Sequence, residues 1–111
     1  MTSEFIALMT HDVIVRKRDR NITGDWQTLS EDSEKGFVEY GNHLVTNAKD
    51  ENIKCTAIVY LKSTSVIDIN HLYWEIDQTS PYSRSSMEVM KINPIDDPRT
   101  GRTHHYEVHA K

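Results

Sequence analysis

Histidine offers the most chemistry in this chain, with six copies among 111 residues. His105 and Glu107 stand two apart, so an extended backbone puts both on one face. With His43 or His71 they would make the two-histidine, one-carboxylate set that holds non-haem iron. His109 is four residues from His105, about 13 Å along a strand, too far for those two alone to share an ion. The competing reading is a solvent-facing edge near the C-terminus. Spacing this loose matches by chance far more often than by function, so the expectation is no metal and no cofactor.

Nucleophilic chemistry has less support. Serines are plentiful, but there is no G-x-S-x-G, G-x-G-x-x-G, P-loop or C-x-x-C. Cys55 alternates with Ala57, Val59 and Leu61, which predicts a buried and inert thiol. The chain reads as a non-enzyme. A basic cluster, Arg16, Lys17, Arg18 and Arg20, has the charge to touch phosphates, with Trp26 the one aromatic nearby. The formal charge of −4 and pI near 5.8 argue against a dedicated nucleic-acid binder. These cations need only line a DNA path without reading bases; the bland alternative is a solvated hairpin tip.

The elements that position these residues alternate with the two-residue period of strands. Residues 11–17 place Val13 and Val15 opposite Ile14. Residues 18–25 form a turn, residues 26–29 a returning strand, and Glu31, Asp32 and Glu34 an acidic connector. In residues 35–40, Phe37 and Glu39 oppose Val38 and Tyr40. Residues 55–61 repeat the pattern around Cys55. The joining stretch, residues 41–54, carries turn and surface chemistry and predicts a long ordered loop or a protruding hairpin, with Asn42, His43, Thr46, Asn47, Lys49, Asp50, Glu51 and Asn52 as its polar residues. Loops of that length in compact domains are often functional.

Further on, residues 66–70 fit no element. Residues 72–76 read as a strand with Trp74 and Ile76 on one face. Residues 77–86 read as a loop, and residues 87–92 as a strand in which Met87, Val89 and Lys91 oppose Glu88, Met90 and Ile92. Residues 93–101, with two prolines and a glycine, turn the chain. Residues 103–110 form a last strand with His105, Glu107 and His109 on one side. Short strands with turn signals between them predict an all-β fold, a small antiparallel barrel of six or seven strands with a long loop between two central strands.

At this length the chain is a single domain. Hydrophobic residues make up 37% and charged residues 27%, a modest core that favours help from partners. A lone cysteine excludes an internal disulfide and fits a reducing cytosol. The N-terminal ten residues predict an arm or one helical turn capped by Thr2 or Ser3, with Phe5, Leu8 and Met9 on one side. Its apolar patch is too short to span a bilayer, and Glu4 precedes it where a targeting signal would be basic.

The segments HDVIVRKRDRNITGDW, KGFVEYGNHLVTNAKDE, IVYLKSTSVIDINHLYWEID and MEVMKINPIDDPRTGRTHHYEVHAK resemble, in this order, the head-closure proteins of tailed bacteriophages, also called stopper, head-completion or small head–tail connector proteins. The likeness spans residues 11–111. It implies a small barrel in the virion, at the head–tail interface, forming a twelvefold ring below the portal's adaptor ring and made in the cytoplasm of a host bacterium. The implied partners are the adaptor protein, a tail-completion or tail-tube protein, further copies of the chain and packaged double-stranded DNA held non-specifically; no membrane is implied. The family's long loop, which points into the channel and helps retain DNA, matches residues 42–53. One departure is the length of residues 77–86, where the family pattern has a tight turn.

Three rivals remain from the residues themselves. One is a tail-completion protein, also small and partner-dependent. Another is a cupin-like metal barrel using His105 and Glu107. The third, an oligonucleotide-binding barrel, would need a basic groove and exposed aromatics on one sheet face, neither of which the alternation supplies.

Overall fold

A computed structural model describes residues 7–47 and 49–111. Among these residues the elements are six strands: β1 (His11–Arg20), β2 (Trp26–Thr46), β3 (Asn52–Lys62), β4 (Trp74–Ser80), β5 (Arg84–Asp96) and β6 (Thr103–Ala110). All their pairings are antiparallel, and the order β1-β2-β3-β6-β5-β4 closes into a barrel through β1 and β4. The expected all-β barrel is therefore the fold. The capped helical turn rests on Thr2, Ser3 and Phe5, which lie outside the described residues; of the rest of that segment, Met9 is buried and Leu8 exposed.

The inward side chains follow the alternation. Val13 and Val15 of β1, Val38 of β2, Ala57, Val59 and Leu61 of β3, Trp74 and Ile76 of β4, Met87 and Val89 of β5, and Val108 and Ala110 of β6 form one core. A bulge between Val89 and Lys91 then shifts the phase of β5, so Ile92, not Lys91, packs against the core. The unassigned stretch after β3 sends Ile67 into the same core. The Trp74 indole N–H donates to the carbonyls of Asp68 (3.2 Å) and His71 (2.9 Å), fixing that irregular segment against the barrel.

Three expectations need correction. First, the acidic connector is strand: β2 runs unbroken for 21 residues. Glu31 lies opposite Arg16 and pairs with it at 3.1 Å, Lys35 pairs with Asp12 opposite, and Glu34 accepts from the Ser65 hydroxyl at 2.8 Å. Cross-strand and neighbouring partners of complementary character let a charged run stay in the ladder.

Second, the long loop of the barrel description gives way to the other reading of residues 41–54, a protruding hairpin. The β2–β3 ladder continues from Tyr40–Ala57, through a bulge, to Thr46–Asn52, leaving only residues 47–51 to turn the chain. The Asn47 side-chain oxygen accepts the N–H groups of Lys49 (2.9 Å) and Glu51 (3.0 Å), and Asp50 takes a φ of 59°. Turn chemistry is thus concentrated at the tip, while the polar residues beside it sit on an exposed ladder.

Third, residues 77–86 are mostly β4 and β5, joined by a turn at residues 81–83. The connection between these two strands is therefore short. Likewise β5 continues through Pro94, which sits opposite Tyr106, and the chain turns only after Asp96.

Candidate functional site

The residues singled out between β2 and β3 all lie on the hairpin that extends the barrel. Asn42, Thr46, Asn52 and the tip residues Lys49, Asp50 and Glu51 are exposed, and the Thr46 hydroxyl donates to Asn52 at 3.1 Å across the last rung. Lys49 and Lys54 balance Asp50 and Glu51, so the solvent-facing end carries both signs without a net charge. His43 differs from the others because its ring turns toward the barrel.

The His43 Nε2 atom lies 2.8 Å from Nδ1 of His109 on β6, and His43 Nδ1 lies 3.2 Å from the Gly41 carbonyl. On its far side, His109 Nε2 meets the Asn93 side-chain amide of β5 at 3.3 Å. Burial, then the neighbouring His43 and Lys91, pushes the His109 pKa below the ordinary imidazole value. This four-residue line ties the hairpin to β5 and β6. Two further contacts tie its base: the Tyr40 hydroxyl donates to the buried Gln78, and the Arg84 guanidinium donates to the Thr56 hydroxyl at 2.7 Å.

The hairpin tip curls beside the segment before β4. An open groove of about 420 Å³ has Asn47 and Ile53 of the hairpin among its lining residues, with Trp26, Leu72, Tyr73 and Met90. Leu72 is 76% exposed, and Trp26 meets Tyr73 edge-on at 4.9 Å between centroids.

The basic cluster separates into different duties. Arg16 contacts Asp77 (2.6 Å), Glu31 (3.1 Å) and Glu75 (3.3 Å), bridging β1 to β2 and β4, and Arg18 contacts Glu75 at 2.8 Å. Hydrogen bonding to Asp77 raises the Arg16 pKa, while Arg16 lowers that of Asp77. Arg20 lies over the Trp26 ring at 4.4 Å and donates to the Gly24 carbonyl at 2.8 Å. Arg16 and Arg18 are therefore engaged by carboxylates, whereas Lys17 and Arg20 form no ion pair among the described residues.

The histidine and carboxylate set considered for metal does not converge. His43 faces His109, His71 Nε2 donates to the Arg18 carbonyl at 2.6 Å, and His105 is buried beside His104 and Tyr60. Among the described residues, no group of three His, Cys, Asp or Glu side chains is placed to hold an ion. Burial lowers the His105 pKa and raises that of Cys55, whose side chain is inaccessible as the alternation predicts.

The His43–His109 contact is not legible in the sequence, because 66 residues separate the two and neither spacing nor motif joins them. The turning inward of His43 follows from the bulge between Tyr40 and His43, which has no signature beyond Gly41. Comparison with protein families, curated proteins and solved structures finds no match for the chain.

Proposed function

We propose that the chain is a small head–tail connector of the head-closure kind, a ring-forming structural protein of a phage or prophage. The observation that carries this reading is the hairpin: a closed six-stranded barrel extends one polar two-stranded arm beyond its wall. That arm coincides with the stretch that the sequence resemblance assigns to the channel. Repeated around a ring, identical arms narrow a lumen mechanically. Their balanced charge neither binds a DNA backbone tightly nor strongly repels it, and so suits a gate through which DNA must later pass. Lys17 and Arg20 offer sequence-independent phosphate contacts, and the adaptor and tail proteins are the proposed neighbours above and below the ring.

The test shortens the arm while keeping its anchor. Leu44 and Lys54 are cross-strand partners, so joining them through Asn-Gly makes a two-residue hairpin that retains His43. In the phage or prophage that carries this gene, the variant is expected to assemble heads that fill and then lose their DNA. Normal infectious particles carrying the shortened arm would overturn the channel role. Heads that retain DNA but lack tails would move the reading toward tail completion.

A further inference from the structure

We infer that the hairpin is latched to the barrel by a neutral histidine relay, Gly41–His43–His109–Asn93, which opens when its imidazoles take up protons. The inference stands on side-chain geometry and does not depend on the proposed function.

The direction of the relay follows from donor and acceptor roles. The Gly41 carbonyl only accepts, so His43 Nδ1, 3.2 Å away, must carry hydrogen. Neutral His43 then has a bare Nε2, which can only accept. The Nδ1 atom of His109, 2.8 Å from it, must therefore donate, which leaves His109 Nε2 bare and requires the Asn93 amide to present its NH2 group at 3.3 Å. Both rings thus hold the Nδ1–H tautomer, and every member of the line is satisfied once.

Protonation breaks this line at a definite place. A first proton on His43 must go to Nε2 and forces the hydrogen of His109 from Nδ1 to Nε2; a second proton restores the Nδ1–H and sets donor against donor across the 2.8 Å contact. A proton on His109 goes to Nε2, where it faces the Asn93 NH2 group. That amide can turn its oxygen inward, but the cation is then buried near Lys91, which also opposes charge there. With both rings charged, two cations stand at hydrogen-bond distance.

The described surroundings supply no compensation. Cys55, opposite His43 in the ladder, is a buried thiol whose pKa is raised by burial, so it stays neutral. The carboxylates related by register, Glu107 on β6 and Glu39 across Ile58, act on Tyr60. Lys91 and Asn93 are the β5 groups that face the relay. His109 has a folded-state pKa below its unfolded value, so the stabilisation it provides is present above the ordinary histidine range and is lost as pH falls through the lowered value.

Nitrogen-15 spectra of the imidazole rings and amide exchange test the latch on the full chain. At neutral pH both His43 and His109 should show the Nδ1–H tautomer, the reverse of the form that histidine favours in water. Between about pH 7.5 and pH 5, the protection of the Leu44, Val45 and Lys54 amides should fall about tenfold or more relative to that of Val59 and Val108. In His109→Phe, which cannot titrate, the hairpin's relative protection should not change with pH. An Nε2–H tautomer in either ring, or parallel pH responses of hairpin and barrel, would overturn the inference. The parent spectra decide it even if His109→Phe does not fold.

Discussion

Gly36 and Tyr60 approach so closely that a Cβ on residue 36 would stand 2.7 Å from the Tyr60 carbonyl oxygen. Leu61 Cδ2 would lie 3.1 Å away on the same side. Gly36 is also the residue at which β2 changes partners, lying opposite His11 of β1 and Leu61 of β3. Gly36→Ala should therefore cost about 1–3 kcal/mol through overpacking against backbone that cannot yield. Gly41→Ala is the control, since among the described residues nothing lies within 4 Å of where its methyl group would stand; it should stay within about 0.5 kcal/mol of the parent. Urea unfolding of both variants checks the contrast.

Arg16 holds three carboxylates on two neighbouring strands, and its side chain is 19% exposed. Arg16→Met should destabilise the fold by about 2 kcal/mol at neutral pH, because Glu75 and Asp77 lose a partner while remaining partly buried. The pH dependence has a definite sign. Asp77 is held below its ordinary pKa, mainly by the hydrogen bond from Arg16, so the unfolded chain binds more protons in acid. The corresponding stability is present at neutral pH and is lost below about pH 4, as pH falls through the lowered Asp77 value. In Arg16→Met that acid slope should flatten, which thermal melts across the range will show.

Tyr40→Phe should cost about 1–3 kcal/mol, more than an exposed tyrosine would suggest. The phenol donates to Gln78, whose side chain is 1% exposed and whose Nε2 donates to the Ser80 carbonyl at 3.3 Å. Removing the hydroxyl leaves a buried amide oxygen without its donor. A double-mutant cycle with Gln78→Leu should recover part of the loss, since that variant removes the stranded acceptor as well.

Ile67→Ala should cost about 2–4 kcal/mol although the residue belongs to no strand. The side chain is 2% exposed and packs with Trp74 in the core. Tryptophan fluorescence in urea should show the loss, while Val66→Ala, at a 43% exposed neighbour, should leave stability nearly unchanged.

The inward faces are legible wherever apolar residues alternate without interruption, as at Val13 and Val15 or from Cys55 to Leu61. Strand ends are not. Glu31 to Lys35 and Asn42 to Thr46 have the composition of loops, and what keeps them extended is pairing, the first run with β1 and the second with the returning arm of its own hairpin. The positive charge of Arg16 is plain from its residue type, but its engagement is not, since its three carboxylates come from β2 and β4. The phase change on β5 is hidden for the same reason: the bulge after Val89 is set by pairing with β6, and local alternation predicts Lys91 where Ile92 packs. Alternation puts His105 and His109 on one side of β6 with Glu107, but their burial depends on what covers that side.

The length of β2 carries a mechanical consequence. Fully extended at about 3.3 Å per residue, 21 residues would reach about 66 Å, beyond the longest molecular dimension of 45 Å. The strand must coil around the barrel, and one backbone carries the register of β1 over its first half and of β3 over its second. A slip of one residue would misalign both ladders together. A pull on the hairpin tip draws β2 and β3 the same way, so it is borne in shear at the two outer pairings together, β2 with β1 and β3 with β6, and the wall resists as a unit and does not unzip strand by strand.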